Sequence, residues 1–122
     1  MSNDQNSSIN LAHLRLSVSD LKGAILFFEA LGAKQDVDRK GFAVVELRDR
    51  TRLQLTEDKE ALSSSALHFD FKVEDIDAAW SDYRAKGLDP TEITRRNPGH
   101  DYFFLSGPDR CEVKINSSFH RR

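Results

Sequence analysis

His13 and His68 stand 55 residues apart, each near the start of a copy of one short segment. The copies, AHLRLSVSDLKGAILFFEALGAK from Ala12 and LHFDFKVEDIDAAWSDYRAKGLD from Leu67, align without a gap. An imidazole nitrogen can ligate a metal ion or meet a polar group of a ligand. Two and four residues beyond each histidine the side chains are again polar: Arg15 and Ser17 in the first copy, Asp70 and Lys72 in the second. Arg52, Gln54 and Thr56, and then Glu112, Lys114 and Asn116, share the spacing. A period of two puts each set on one face of a strand. Four such strands would gather imidazoles, cations, carboxylates and amides on a common surface, where they could hold a polar small molecule.

The elements that must position these groups come from the repeat. Val18 matches Val73, Asp20 matches Asp75, Ala24 matches Ala79 and Gly32 matches Gly87. After a five-residue insertion the register resumes at an offset of 60, so Asp49 and Arg50 match Asp109 and Arg110, and Gln54 matches Lys114. Leu14, Leu16 and Val18 form the apolar face of a first strand, Asp20 opens a helix, and Leu21, Ala24, Ile25, Phe28 and Leu31 recur at helical spacing. Gly32 suits a left-handed helix stop. In the second copy Ile76, Ala79, Trp80 and Tyr83 do the same, closed by Gly87, with Trp80 read as core. Three strands follow each helix, at about 33–38, 41–47 and 51–56, then 90–95, 101–106 and 111–116. The turns are marked by Lys40-Gly41, Asp49-Arg50, Asn97-Pro98-Gly99 and Gly107-Pro108-Asp109. The expected fold is α+β: two paired βαβββ modules, about 11–60 and 66–116, forming a cupped mixed sheet with the helices on its outer face. Residues 11–116 make one domain, with residues 1–10 a disordered tail and residues 117–122 a second tail.

At 122 residues the chain can bury one core but not two independent ones, so each half must lean on the other or on a partner. A net charge of −2 with scattered Lys and Arg leaves no footprint for nucleic acid, and no apolar run approaches the length of a membrane span. One cysteine, Cys111, and a polar start without a secretory pattern make the cytoplasm the expected address. By alternation Cys111 is a small core residue. His100 is expected to be a solvated loop residue, and His120 lies in the tail. Phe42, Tyr102 and Phe104 fall on the polar face of their strands, so a curled sheet would be a pocket with a polar base and aromatic walls.

These segments, with the closing GPDRCEVKI, resemble the vicinal oxygen chelate superfamily of glyoxalase I, fosfomycin- and bleomycin-resistance proteins and extradiol dioxygenases. The resemblance runs from Leu11 to Asn116. It implies a cup with metal ligands on the first, fourth, fifth and eighth strands, which here are His13, Gln54, His68 and Lys114. Family enzymes carry a glutamate at the last position, whereas a protonated lysine only donates hydrogen bonds. Glu112 shares that face two residues away. The metal ligands would therefore be His13, Gln54 and His68, with no cofactor certain and a divalent metal an open alternative. The ligand-binding set is Arg15, Phe42, Arg52, Asp70, Lys72, Tyr102, Phe104, Glu112 and Lys114, whose surplus of cations suits a carboxylate or phosphate.

Three functions stay open at this point. One is a glyoxalase/bleomycin-resistance-like protein binding a small molecule in a polar cup without a complete metal site. The second is a metal-dependent lyase, transferase or dioxygenase, whose ion would activate substrate oxygens. The third is a non-catalytic interaction domain with a filled, salt-bridged face. A homodimer is expected because sheet edges demand cover, with the cup formed within one chain or across the pair.

Overall fold

A computed structural model of the chain describes residues 8–9, 11–60 and 69–118. The first module runs β1 (His13–Val18), α1 (Leu21–Leu31), β2 (Lys34–Arg39), β3 (Phe42–Glu46) and β4 (Arg52–Glu57). The second runs β5 (Phe71–Val73), α2 (Ile76–Ala85), β6 (Tyr102–Ser106) and β7 (Glu112–Ser117). The strands form two mixed sheets, ordered β1-β4-β3-β2 and β5-β7-β6. In each sheet the module's first strand runs parallel to its last, and the remaining pairs are antiparallel.

The helices start and stop where the local chemistry demands. Asp20 and Asp75 accept from the backbone N–H groups of Gly23 and Ala78, capping orphan donors at both N-termini. Gly32 (φ 116°) ends α1 in the left-handed region. Gly87 (φ 84°) follows one residue after the Lys86 cap of α2. Leu21, Ala24, Ile25 and Phe28 of α1 bury against Ala43, Val45, Leu53 and Leu55, while Ile76 and Tyr83 of α2 meet Phe103, Leu105, Val113 and Ile115. Trp80 lies half-buried at the edge of this second cluster, as expected for a core residue.

Phe27, Leu31 and Phe71 pack against both clusters, so the modules lean on one another. The seam follows the repeat. Ser19, in the strand–helix loop of the first module, bonds through its N–H (2.9 Å) and its hydroxyl to Asp109 in the last turn of the second. In return Glu74, the repeat equivalent of Ser19, pairs at 2.9 Å with Arg48 in the corresponding turn of the first module. Arg50 (φ 65°) and Arg110 (φ 62°), also equivalent, both adopt the left-handed conformation.

Two expectations change. Residues 90–95 do not form a strand: one bridge joins Thr94 to Tyr102. Pro90 lacks an N–H, Trp80 Nε1 donates to the Thr91 carbonyl (2.7 Å), and the Thr91 hydroxyl takes the Phe104 N–H (2.9 Å), so ladder partners are consumed locally. The C-terminal tail begins later than residue 117, because Ser117 ends β7 fully buried with its N–H on the Asp101 carbonyl. The two mixed sheets, one per module and of four and three strands, fit the expected α+β pairing of modules. His68 and the start of its expected strand, like His120, lie outside the described residues. None of the described helices is long and apolar enough to cross a membrane.

Cys111 is buried at 4% exposure, as alternation along β7 implies. Burial, helped by the Asp109 charge, raises its thiol above the ordinary value. A raised folded pKa means that the stability it contributes is complete below the unfolded thiol's value, about 8.5, and is lost as pH rises through the folded value. Urea midpoints should therefore fall as pH rises above the unfolded thiol's value, about 8.5, and Cys111→Ala should flatten that slope. An unchanged slope in the variant would reject the assignment.

Candidate functional site

Each sheet has one face under a helix and one without. Ala43, Val45, Leu53 and Leu55 in the first sheet, and Phe103, Leu105, Val113 and Ile115 in the second, take the helix side and are buried. Alternation sends their neighbours to the opposite side, where the side chains are exposed or half-buried.

In the first sheet register sets the neighbours: His13 beside Arg52, Arg15 beside Gln54 and Ser17 beside Thr56, with Glu46, Val44 and Phe42 continuing the three rows across β3. Arg15 Nε donates to Gln54 Oε1 at 3.3 Å. Arg52 is paired with Asp36, a residue that sequence alternation did not assign to the site. A register shift between Gln35 and Val37 lies at Asp36, and a strand irregularity of this kind leaves no pattern in the sequence. Val44 is 5% exposed although it lies on the polar side, which gives the centre of this face an apolar floor beside Gln54. His13 is exposed and Phe42 half-buried.

In the second sheet the rows are Lys72, Asn116 and Tyr102, then Lys114 and Phe104, then Glu112 and Ser106. Asn116 Nδ2 donates to Asp70 Oδ2 at 3.4 Å. Lys114 places its ammonium 4.4 Å from the centre of the Tyr102 ring, a cation–π contact. Tyr102 and Phe104 meet edge to face at 5.5 Å and are both half-buried, forming an aromatic wall. Lys72 and Glu112 are exposed at its margins.

His100 is half-buried rather than solvated, and its Nδ1 lies 2.7 Å from the Ser117 carbonyl. A carbonyl only accepts, so Nδ1 carries the proton. Next to it Asp101 is fully buried, accepting from the Arg96 N–H (3.1 Å) and from Arg95 Nη1 (3.3 Å), while Arg95 also pairs with Asp77 of α2 at 2.6 Å. This network anchors the loop to the start of the second helix. A polar loop around Asn97-Pro98 gave no hint of it.

The donor set can be compared with what a divalent ion requires. Among the described residues no three His, Cys, Asp or Glu side chains gather in a metal-binding arrangement. The Gln54 oxygen, an amide donor to a metal, already receives the Arg15 guanidinium. Lys114 brings a positive charge to the last position, where an ion calls for an anion. As placed here, Gln54 and Lys114 do not fit a dication, while His68, the remaining candidate beside His13, lies outside the described residues.

A separate hollow of about 260 Å³ lies at the module seam, lined by Asp20, Gly23, Phe27, Gly107 and Asp109 among others. None of the residues expected to bind ligand contributes to it.

A family model described as the Glyoxalase/Bleomycin resistance protein/Dioxygenase superfamily matches residues 10–115. Among solved structures, the chain is similar to a lactoylglutathione lyase from Agrobacterium tumefaciens, with TM-score 0.72, 17% identity and coverage of 93% of this chain and 96% of that one. It is also similar to the bleomycin resistance determinant encoded on transposon Tn5, at TM-score 0.69 and 16% identity over 89% of this chain and 98% of that one. An integron cassette protein of V. cholerae has TM-score 0.73 at 18% identity, covering 93% and 98% of the two chains. Identities this low speak to the fold alone. No curated protein matches the chain.

Proposed function

Because the chain belongs to the glyoxalase/bleomycin resistance protein/dioxygenase superfamily, we propose that it binds a small molecule on the helix-free face of its two sheets, without a resident metal ion. The observation that carries this is the composition of the face. On the first sheet an apolar floor at Val44 lies beside Gln54 and Arg15, on the second a wall of Tyr102 and Phe104 lies beside Lys114, and no carboxylate pairs with Arg15 or Lys114 among the described residues. Apolar contact with a few convergent polar groups is the usual make-up of a ligand site. A filled interaction face would instead have its charges paired, as only Arg52 is paired here by Asp36.

The two faces belong to separate sheets, and closing them over a ligand is the work of a second copy of the chain. Sedimentation equilibrium should give twice the 13.9 kDa chain mass. An amide-resolved NMR titration with a library of polar fragments tests the site. Shifts are expected at Arg15, Gln54, Tyr102, Phe104 and Lys114, and Phe104→Ala should weaken binding about tenfold, or ~1.4 kcal/mol. Shifts confined to the helices or to the seam hollow would overturn the proposal. So would stoichiometric divalent-metal binding by the wild-type protein, which would favour a metal-dependent enzyme.

A further inference from the structure

We propose that the second sheet, on its own, binds an aromatic amino acid as the zwitterion: its ring against Tyr102 and Phe104, its carboxylate on the Lys114 ammonium and its ammonium on the Asp70 carboxylate. The inference rests on the binding proposal above and names the ligand class for it. Every group it uses lies on β6, on β7 or in the residue that leads into β5.

Direct contacts join these groups across neighbouring strands. Asp70 Oδ2 accepts from Asn116 Nδ2 at 3.4 Å, so the carboxylate leans toward β7. Asn116 stands beside Tyr102, and Lys114, two residues back on β7, holds its ammonium 4.4 Å from the centre of the Tyr102 ring. Tyr102 meets Phe104 edge to face at 5.5 Å, and Phe104 is the cross-strand neighbour of Lys114. Continued back by one residue, the register that sets Phe71 beside Ile115 brings Asp70 beside Lys114. The row therefore reads carboxylate, ammonium, ring on adjacent strands about 4.8 Å apart. An aromatic amino acid presents the complementary groups in one piece, since its ammonium and carboxylate share a carbon and its ring hangs from the next.

Charge separates this face from the other. Register gathers Arg15, Lys34, Arg39 and Arg52 on the helix-free side of the first sheet, against Glu46 and the Asp36 that pairs with Arg52. On the second sheet Lys72 and Lys114 stand with Asp70 and Glu112, two charges of each sign. A balanced face suits a ligand that carries both signs, provided its own charges are not already joined. Among the described residues neither Asp70 nor Lys114 belongs to an ion pair. Asp70 meets only the neutral Asn116 amide, and Lys114 only a ring. A zwitterion can therefore make a charge-assisted hydrogen bond at each end. Its ring adds a third member to the half-buried pair of Tyr102 and Phe104, in the offset or edge-to-face geometry that aromatic groups prefer.

NMR titration of the full chain with L-phenylalanine, phenylpropanoate, phenethylamine and L-leucine tests the proposal, because the last three lack the ammonium, the carboxylate and the ring in turn. L-Phenylalanine should shift the amides of Tyr102, Phe104 and Lys114 and bind at least about fivefold more tightly than each of the others. Lys114→Met should weaken L-phenylalanine at least about fivefold and leave phenethylamine within about twofold of wild type. Asp70→Asn should weaken it as much and leave phenylpropanoate within about twofold. In each variant the analogue that still binds shows that the face is intact. L-Phenylalanine that binds no tighter than either half-charged analogue, or that is indifferent to both substitutions, would overturn the proposal. So would a variant that loses all three aromatic ligands alike. If other polar fragments shift the face while L-phenylalanine does not, the amino-acid class falls and the binding site stands. If no fragment of any kind shifts the face, both fall.

Discussion

Phe28→Ala is expected to lower the unfolding free energy by about 3–5 kcal/mol, enough to threaten the fold. Phe28 is 0% exposed and meets the rings of Phe27 at 5.1 Å and Phe71 at 6.0 Å. Phe71 in turn packs against both clusters, so removing the Phe28 ring opens a void where the two modules meet. Close-packed interiors relax only partly around such a void, and the cavity adds to the lost transfer energy. Against a total stability of about 5–15 kcal/mol for a domain this size, the change decides whether the chain stays folded. Leu26→Ala, on the same helix at 60% exposure, is the control and should cost under about 0.5 kcal/mol. Urea unfolding followed by circular dichroism and by the fluorescence of Trp80, the single tryptophan, should give one shared, lowered midpoint. A Trp80 midpoint that stays at its wild-type value would show that the second module does not depend on Phe28.

The repeat made much of this architecture readable beforehand, because its rules are local. Asp20 and Asp75 announce helix starts, Gly32 a stop, and strict alternation in RLQLTE and EVKINS names the buried and open faces without reference to the rest of the chain. What stayed hidden depends on partners distant in sequence or on irregular backbone. Residues 90–95 have turn and strand character, yet Trp80 and the Thr91 hydroxyl claim the hydrogen bonds that a ladder would use. Asp36 reaches Arg52 at an irregularity in β2, so one cation of the expected site is neutralised by a residue outside the alternation. Asp101 is a buried carboxylate in a stretch that reads as an ordinary loop, and Arg95 and the Arg96 N–H converge on it to offset the cost of burial. The candidate site is thus legible as a face, strand by strand, but the charge balance on it is not.

That charge balance sets the second large effect: Lys114→Glu should convert the site from one that repels divalent cations to one that binds them. At an effective dielectric near 20 a unit charge pair 4 Å apart is worth about 4 kcal/mol, and a dication doubles it. Replacing the ammonium by a carboxylate changes the sign as well as the size. Lys114 is half-buried, so water screens much of the bare interaction. A gain of at least about a hundredfold in affinity for Zn²⁺ or Ni²⁺, near 2.7 kcal/mol, is the expected remainder. His13 is exposed on the first face beside Arg52, and its imidazole is the nitrogen donor this prediction assigns to the ion. Calorimetry on tag-free protein should show no stoichiometric ion on the wild type and one per site on the variant, with His13→Ala in the variant background abolishing the gain. Equal metal binding by wild type and variant would mean that Lys114 does not face the position an ion would take, and the central-row geometry shared by Gln54 and Lys114 would fall with it.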